Sequence, residues 1–241
     1  MLIPKKIHYC WFGRKDKPKL VKKCISSWKK YCPDYEIIEW NEDNFDITLT
    51  PYTEFTYNKN LYAYLSDYVR LWAVNRYGGF YFDTDVEIIK PLDGLKDFEA
   101  FFGFETNEYI TTGVGFGAIS NHPAVKAMLD AYDQKSITDV SKEYDEFGCL
   151  TGSPKMNTRA LLPYGLKQNG ERQFICDADI LPKDFLCPLN DVTGELTITQ
   201  NTVAIHWYLK SLHGRYAVIK NKAMRPIRRV LKNVFHVKRW E

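Results

Sequence analysis

At 241 residues the chain is long enough for one sizeable α/β domain and leaves little room for a second. Its 45% apolar and 26% charged residues are ordinary for a globular protein, and no apolar stretch approaches the roughly 18 residues of a membrane-spanning helix. The net charge of +3 is mild, but eight Lys/Arg and no Asp or Glu fall between Lys220 and Arg239, so the remainder is slightly acidic.

Met1–Lys6 runs directly into a strand-like segment with no apolar leader. The six cysteines (Cys10, Cys24, Cys32, Cys149, Cys176 and Cys187) form no CxxC pair, which removes zinc-ribbon and thioredoxin-like readings. Free thiols in a cytosolic chain are the expectation. Residues Lys6–Phe12 read as a short buried strand closed by Gly13, and Lys19–Tyr31 as a helix with Leu20, Cys24, Ser27, Trp28 and Tyr31 on one face. Tyr35–Trp40 reads as a second strand, which completes a right-handed βαβ unit of a parallel sheet. Tyr62–Tyr77 repeats apolar and aromatic residues at helical spacing and is stopped by Gly78-Gly79. Phe80-Tyr81-Phe82 is a buried strand that ends abruptly in Asp83-Thr84-Asp85, and Val86, Ile88 and Ile89 resume a strand pattern before Pro91. Further along, Phe98–Phe104, Thr111–Ile119, Phe174–Leu181 and Val203–Trp207 read as strands, and Pro123–Tyr132 and Pro154–Leu162 as helices. The alternation predicts one α/β domain over residues 1–214 with a mostly parallel central sheet, followed by a basic amphipathic tail over 215–241.

The chemistry concentrates in Ser66-Asp67-Tyr68-Val69-Arg70 and the later Asp83-Thr84-Asp85. Two carboxylates one residue apart at the carboxyl end of a buried strand stand where open α/β sheets bind ligands. Hard oxygen ligands of this kind suit Mg²⁺ or Mn²⁺, and such a cation neutralises a departing diphosphate. A bare DxD is more often a surface turn; the buried lead-in strand favours a site. Asp67 and Arg70 share a helix face at a spacing of three residues, which reads either as a surface ion pair or as a carboxylate gripping sugar hydroxyls beside a guanidinium that faces phosphate or sugar oxygens. His206, at the end of a strand-like run, reads equally as a third metal ligand or as a hydrogen-bonded core histidine. Trp11 could stack on a base or fill the core, and the 16 Tyr and 6 Trp serve stacking and packing alike. Thr112, Gly113, Gly152, Asn157 and Trp207 fall in stretches expected to shape a sugar or acceptor pocket.

The strings IPKKIHYCWFG, LSDYVRLWAVNRYGGFYFDTDVEIIKPL and AIHWYLKSLHG are similar to glycosyltransferase family 32, the DxD sugar-binding-region or capsular polysaccharide synthesis transferases. A more distant likeness is to the glucosyltransferase domains of clostridial toxins. The resemblance runs from about Ile3 to Gly214 and is densest from Asp67 to Asp85. It implies a GT-A, Rossmann-like nucleotide-sugar-binding fold, a UDP-sugar donor, Mn²⁺ or Mg²⁺, and retention of anomeric configuration. Carried onto these residues, it implies Trp11 stacked on uracil, Asp67 and Arg70 on the donor sugar, and Asp83 with neighbouring Thr84 on the ribose and sugar side. Asp85 would bind metal and diphosphate, His206 would sit at the metal, and Ser211 would contact phosphate. Members of the family often carry Ser-Trp where this chain has Ser211-Leu212, so an aromatic lid is not expected there.

In the tail, Met224, Ile227, Leu231, Val234 and Phe235 line one helical face, with Arg228, Arg229 and Lys232 largely elsewhere. A basic amphipathic helix reads as a contact with an anionic membrane surface, or as a helix packed on the domain with a solvated basic face. Together with the resemblance, it leads to an expected lipid-linked saccharide acceptor in capsule or exopolysaccharide synthesis, and a peripheral position on the cytoplasmic membrane face. Nucleic acid is not an expected partner, because the basic residues are confined to one end. The competing readings are a metal-dependent phosphohydrolase, a non-catalytic sugar-binding module and a toxin-like transferase acting on a protein.

Overall fold

The computed structural model describes residues 3–147, 149–209 and 225–226. Lys6–Cys10 forms β1 and Glu36–Trp40 forms β2, paired in parallel around helix α1 (Lys19–Tyr31), as the βαβ reading requires. Helix α1 buries Val21, Cys24, Ser27 and Trp28, a stripe at the helical period, and ends where the Cys32 N–H returns to the Trp28 carbonyl, 2.8 Å away. Helix α3 (Tyr62–Tyr77) also has the predicted limits. Its stop is Gly78, whose φ of 62° is a left-handed conformation that glycine adopts without strain.

The remaining strands are β3 (Gly79–Tyr81), β4 (Val86–Ile88), β5 (Ala100–Phe104), β6 (Ile110–Ala118), β7 (Gln173–Ile175), β8 (Ala178–Leu181) and β9 (Ala204–His206). A seven-stranded sheet has the order β2-β1-β3-β6-β5-β8-β7, and β4 and β9 form a separate antiparallel pair. In the large sheet β2, β1, β3, β5 and β8 run one way and β6 and β7 the other. The sheet is therefore mixed but mostly parallel. One face is covered by α3, α4 (Pro123–Asp133) and α6 (Ser153–Leu161), in a cluster that includes Leu65, Val69, Phe102, Phe116 and Met128. The other face packs Ile7, Phe80, Phe82 and Phe101 against Trp28 of α1 and Val86 and Ile88 of β4.

Three elements depart from the sequence reading. The single strand expected over Phe174–Leu181 is a hairpin, turned by Cys176 and Asp177 at φ of 48° and 58°. Two consecutive left-handed residues make the tight turn that matches strand twist, and no glycine marks it. Helix α2 (Pro51–Asn58) was signalled by a capping box between Thr50 and Thr53 with Pro51 at the first turn, and helix α5 (Ile137–Phe147) by its amphipathic pattern; neither was assigned from sequence. All six cysteines are free thiols, and no helix among the described residues is long and apolar enough to cross a membrane. Ser211, Leu212, Gly214 and most of the tail lie outside the described residues. Arg225 of the tail does contact the domain, its guanidinium on the Asp191 carboxylate at 3.0 Å and the Asp191 carbonyl at 3.1 Å.

Candidate functional site

The acidic motif sits at the carboxyl end of β3, between β1 and β6. The Phe82 N–H reaches the His8 carbonyl at 3.2 Å and the Asp83 N–H the Gly113 carbonyl at 3.1 Å, and the chain then turns as the Val86 N–H returns to the Asp83 carbonyl. This is the edge at which doubly wound sheets present ligand sites.

Arg70 organises one half of the site. It is 3% exposed, and its Nη2 lies 2.9 Å from Asp67 Oδ1 and 3.1 Å from Asp83 Oδ1. Its Nε donates to the Ser66 carbonyl, its Nη1 reaches Thr112 Oγ1 at 3.5 Å, and its guanidinium lies 5.0 Å over the Tyr81 ring. The Tyr81 hydroxyl donates to Asp83 Oδ1 at 2.9 Å. Asn157 Nδ2 donates to Thr112 Oγ1 at 2.9 Å, while Asn157 Oδ1 is buried with no partner among the described residues. The surface ion-pair reading of Asp67 and Arg70 is thereby replaced by a buried one, in which removing either member strands a charge.

Gly113 closes this cluster from β6. A Cβ there would stand 2.5 Å from Asp83 Oδ2 and 3.0 Å from Arg70 Nη1, so only glycine lets the strand pass this close to the carboxylate. Burial raises the Asp67 carboxyl to about 6 against the opposing pull of Arg70. Burial, with Asp85 adding to it, also raises Asp83 despite Arg70. Burial would lower the Arg70 pKa, but Asp83, Tyr81 and Asp67 outweigh it and hold the guanidinium charged.

The other half comes from the β4–β9 sheet. Antiparallel register places Val86 opposite His206, which sets the imidazole beside Asp85. His206 Nε2 lies 3.3 Å from Asp85 Oδ1, the Leu209 N–H donates to Asp85 Oδ2 at 2.6 Å, and the Trp207 N–H to the Asp85 carbonyl at 2.9 Å. Burial opposes ionisation of both groups of the pair. For His206 the Asp85 charge outweighs it and raises the imidazole well above its usual value; for Asp85, His206 and the Leu209 N–H outweigh it and lower the carboxyl. The Tyr208 ring packs on His206 with centroids 4.2 Å apart. Beside Tyr208 lies a cavity of about 490 Å³ whose lining includes Glu105, Asp184, Cys187 and Asp191.

One ligand atom from each of Asp83, Asp85 and His206 lies within 4.8 Å of the others. Two carboxylates and an imidazole form a donor set that fits a divalent cation such as Mn²⁺ or Mg²⁺. Thr84 stands half-exposed between the acids. Trp11 lies on the same sheet edge after β1, its indole N–H on the Lys15 carbonyl at 2.6 Å and Lys17 over its ring at 5.5 Å. Trp207 points away from the acids, its indole donating to Glu87 Oε2 at 2.8 Å with Lys23 over the ring at 5.3 Å. Gly152 is the N-cap of α6, where only Pro154 comes within 4 Å of an added Cβ. The structure thus joins Asp67, Arg70, Asp83, Thr112, Gly113 and Asn157 in one network and Asp85 with His206 in another, and leaves Trp207 and Gly152 outside both. The sequence reading missed Tyr81, Tyr208 and the Leu209 backbone. Tyr81 carried a signal, since strand alternation puts it on the same side as Asp83.

Residues 18–102 match the family model described as the glycosyltransferase sugar-binding region containing the DXD motif, and Asp83-Thr84-Asp85 is the DxD of the matched region. Over 128 residues the chain is 31% identical to inositol phosphoceramide mannosyltransferase 3 of Schizosaccharomyces pombe (strain 972 / ATCC 24843), a match over 50% of this chain and 35% of that protein. The match therefore spans about a third of the relative's length. Among solved structures, PaToxG glycosyltransferase has a TM-score of 0.49 at 19% identity, covering 67% of this chain and 70% of that one. The galactosyltransferase LgtC, solved with donor and acceptor sugar analogs, has a TM-score of 0.43 at 11% identity, covering 91% and 95%. The architecture described above rests on its own strand order and register.

Proposed function

We propose that this chain is a GT-A-type hexosyltransferase that moves a sugar from a nucleotide-diphosphate donor, a UDP-sugar in our reading, to a saccharide hydroxyl with retention at the anomeric carbon. The observation that carries the proposal is the convergence of Asp83, Asp85 and His206 within 4.8 Å of one another, next to the buried Arg70–Asp67 pair. A divalent cation, Mn²⁺ or Mg²⁺, would be held by those three side chains and would supply neutralisation of the diphosphate charge. Asp85 is kept ionised and oriented by the Leu209 N–H and His206. Arg70 keeps its charge and faces donor phosphate or sugar oxygens, and Asp67 accepts hydrogen bonds from sugar hydroxyls. Trp11 stacks on the base, Thr84 lies along the nucleotide, and Ser211 contacts phosphate. The new glycosidic bond forms on the face from which the diphosphate departs.

The similarity to a mannosyltransferase makes a mannose-bearing donor a second candidate beside UDP-hexoses. We further infer a lipid-linked saccharide acceptor in capsule or exopolysaccharide assembly, and a peripheral position on the cytoplasmic membrane face with the basic tail as anchor. A phosphohydrolase working through two metals needs more ligands than Asp83, Asp85 and His206, the cluster found among the described residues. The test is a panel of UDP- and GDP-sugars assayed for hydrolysis and transfer, with Mn²⁺ or with a chelator, beside a generic phosphodiester. Metal-dependent release of sugar from one donor is the expected result. Cleavage of the phosphodiester with every sugar donor inert would overturn the reading.

A further inference from the structure

Helix α1 carries five lysines and no acidic residue in the sequence KLVKKCISSWKKY. At 3.6 residues per turn, Lys19, Lys22, Lys23, Ser26, Lys29 and Lys30 fall on one arc of about 120°, opposite the buried stripe of Val21, Cys24 and Trp28. All six residues of that arc are exposed. Lys23 pairs with Glu87 at 2.6 Å, whereas Lys19, Lys22, Lys29 and Lys30 have no acidic partner among the described residues.

The first two of these lysines run against local helix stability, whereas Lys29 and Lys30 in the last turn favour it. The first turn holds no acidic residue, the N-cap Pro18 makes no side-chain hydrogen bond, and Lys19 and Lys22 add positive charge to the positive end of the helix dipole. A surface that violates a local rule in this way is a candidate for function.

The location of the helix selects the partner. Helix α1 lies on β4: the Trp28 indole donates to the Val86 carbonyl at 2.8 Å, and Ser27 Oγ accepts from the Ile88 N–H at 3.0 Å. β4 pairs with β9, and β9 leads in sequence into the segment with eight Lys/Arg and no acid between Lys220 and Arg239. The loop over residues 11–18 joins the carboxyl end of β1 to α1, so the first lysines of the helix lie toward the sheet edge that carries Asp83 and Asp85.

We propose that the exposed lysine face of α1 is a docking surface for an anionic lipid bilayer. It would lay the outer face of α1 flat on the headgroups, independently of the sugar chemistry and of the tail. The attraction is electrostatic, near the surface only and screened by salt.

The experiment is co-sedimentation of the full chain with phosphatidylcholine vesicles and with vesicles containing phosphatidylglycerol, at low and high salt. Wild type is compared with the triple variant Lys19→Gln, Lys22→Gln, Lys29→Gln and with a tail variant, Arg228→Gln, Arg229→Gln, Lys232→Gln. Each lysine near the surface strengthens partition about fivefold, so the α1 variant should bind anionic vesicles about 100-fold more weakly than wild type while its donor hydrolysis is unchanged. Glutamine keeps helix propensity, and an unchanged far-UV spectrum confirms that α1 persists. Anionic-vesicle binding as strong in the α1 variant as in wild type overturns the proposal. So does binding of duplex DNA in place of vesicles, or equal binding to neutral vesicles. Failure of sugar hydrolysis in every variant would instead count against the transferase reading and leave the partition result standing.

Discussion

The two halves of the site are built differently. The Asp67–Arg70–Asp83 half comes mainly from α3 and β3, which are adjacent in sequence, and is closed on one side by Gly113, with Arg70 3% exposed and the Asp83 side chain 28% exposed. The Asp85–His206 half joins residues about 120 positions apart through a short two-stranded sheet, and its pair keeps side-chain exposures of 11% and 13%. The first is a charge network assembled between neighbouring elements; the second depends on one strand pairing between distant segments. Function on this account needs both: the first to hold a donor sugar in place, the second to hold the metal and diphosphate.

Arg70→Ala should give the largest effect. It leaves buried Asp67 and half-buried Asp83 without their counter-ion, and breaking the buried Arg70–Asp67 pair in this way costs about 3–5 kcal/mol. Urea unfolding should show that loss together with abolished sugar hydrolysis. A loss under about 1 kcal/mol would mean that the cluster is solvated and not preassembled.

Gly113→Ala should lower both stability and activity. The new Cβ meets Asp83 Oδ2 at 2.5 Å, and overpacking of this kind costs about 1–3 kcal/mol. Hydrolysis should fall more than about tenfold because the displaced group is the site itself. Near-wild-type turnover would show that Asp83 can move without consequence.

His206→Ala should weaken metal binding by about tenfold or more, with a smaller loss of stability than Arg70→Ala, since Asp85 retains the Leu209 N–H. The same pair sets a pH dependence. The raised pKa of His206 contributes stability in full below its ordinary value of 6.5, and this is lost as pH rises through the raised folded value. The lowered pKa of Asp85 contributes stability above its ordinary value of 3.8, lost as pH falls through the folded value. The metal-free protein should therefore lose Tm as pH rises above neutrality, while Mn²⁺ affinity increases because ligation requires neutral imidazole. His206→Gln should flatten both trends; persistence of either in that variant removes His206 from the metal half.

Gly152→Ala is the smallest change. With only Pro154 within 4 Å of the added Cβ, the expected cost is that of a poorer N-cap, under about 1 kcal/mol, with hydrolysis unchanged. A large loss of turnover would place Gly152 in the pocket after all.

What could be read from sequence follows the same division. Helix α3 has the expected limits because its periodicity and the Gly78-Gly79 stop agreed, and α1 has them from periodicity alone, with Val21 buried in place of Leu20 and Tyr31. The βαβ unit and the buried strand before the acids followed from apolar runs. Cys176 and Asp177 turn the chain without glycine, so the β7–β8 hairpin read as one strand. Arg70 and Asp67 were visible as helix neighbours, but the third member, Asp83, and the constraint at Gly113 arise only when β6 packs beside β3. Asp85 was identifiable from its motif. His206 could not be separated from a core histidine, because its role depends on the Val86–His206 register.

The central claim is that Asp83, Asp85 and His206 hold a divalent cation at which a nucleoside diphosphate binds. Calorimetric titration of UDP into the full chain, with Mn²⁺ and with chelator, tests it most directly when repeated on Asp85→Asn. The account predicts binding that requires Mn²⁺ in the wild type and falls by about 100-fold in the variant, with the fold retained. UDP binding of equal strength with chelator, or unaltered in Asp85→Asn, would contradict it.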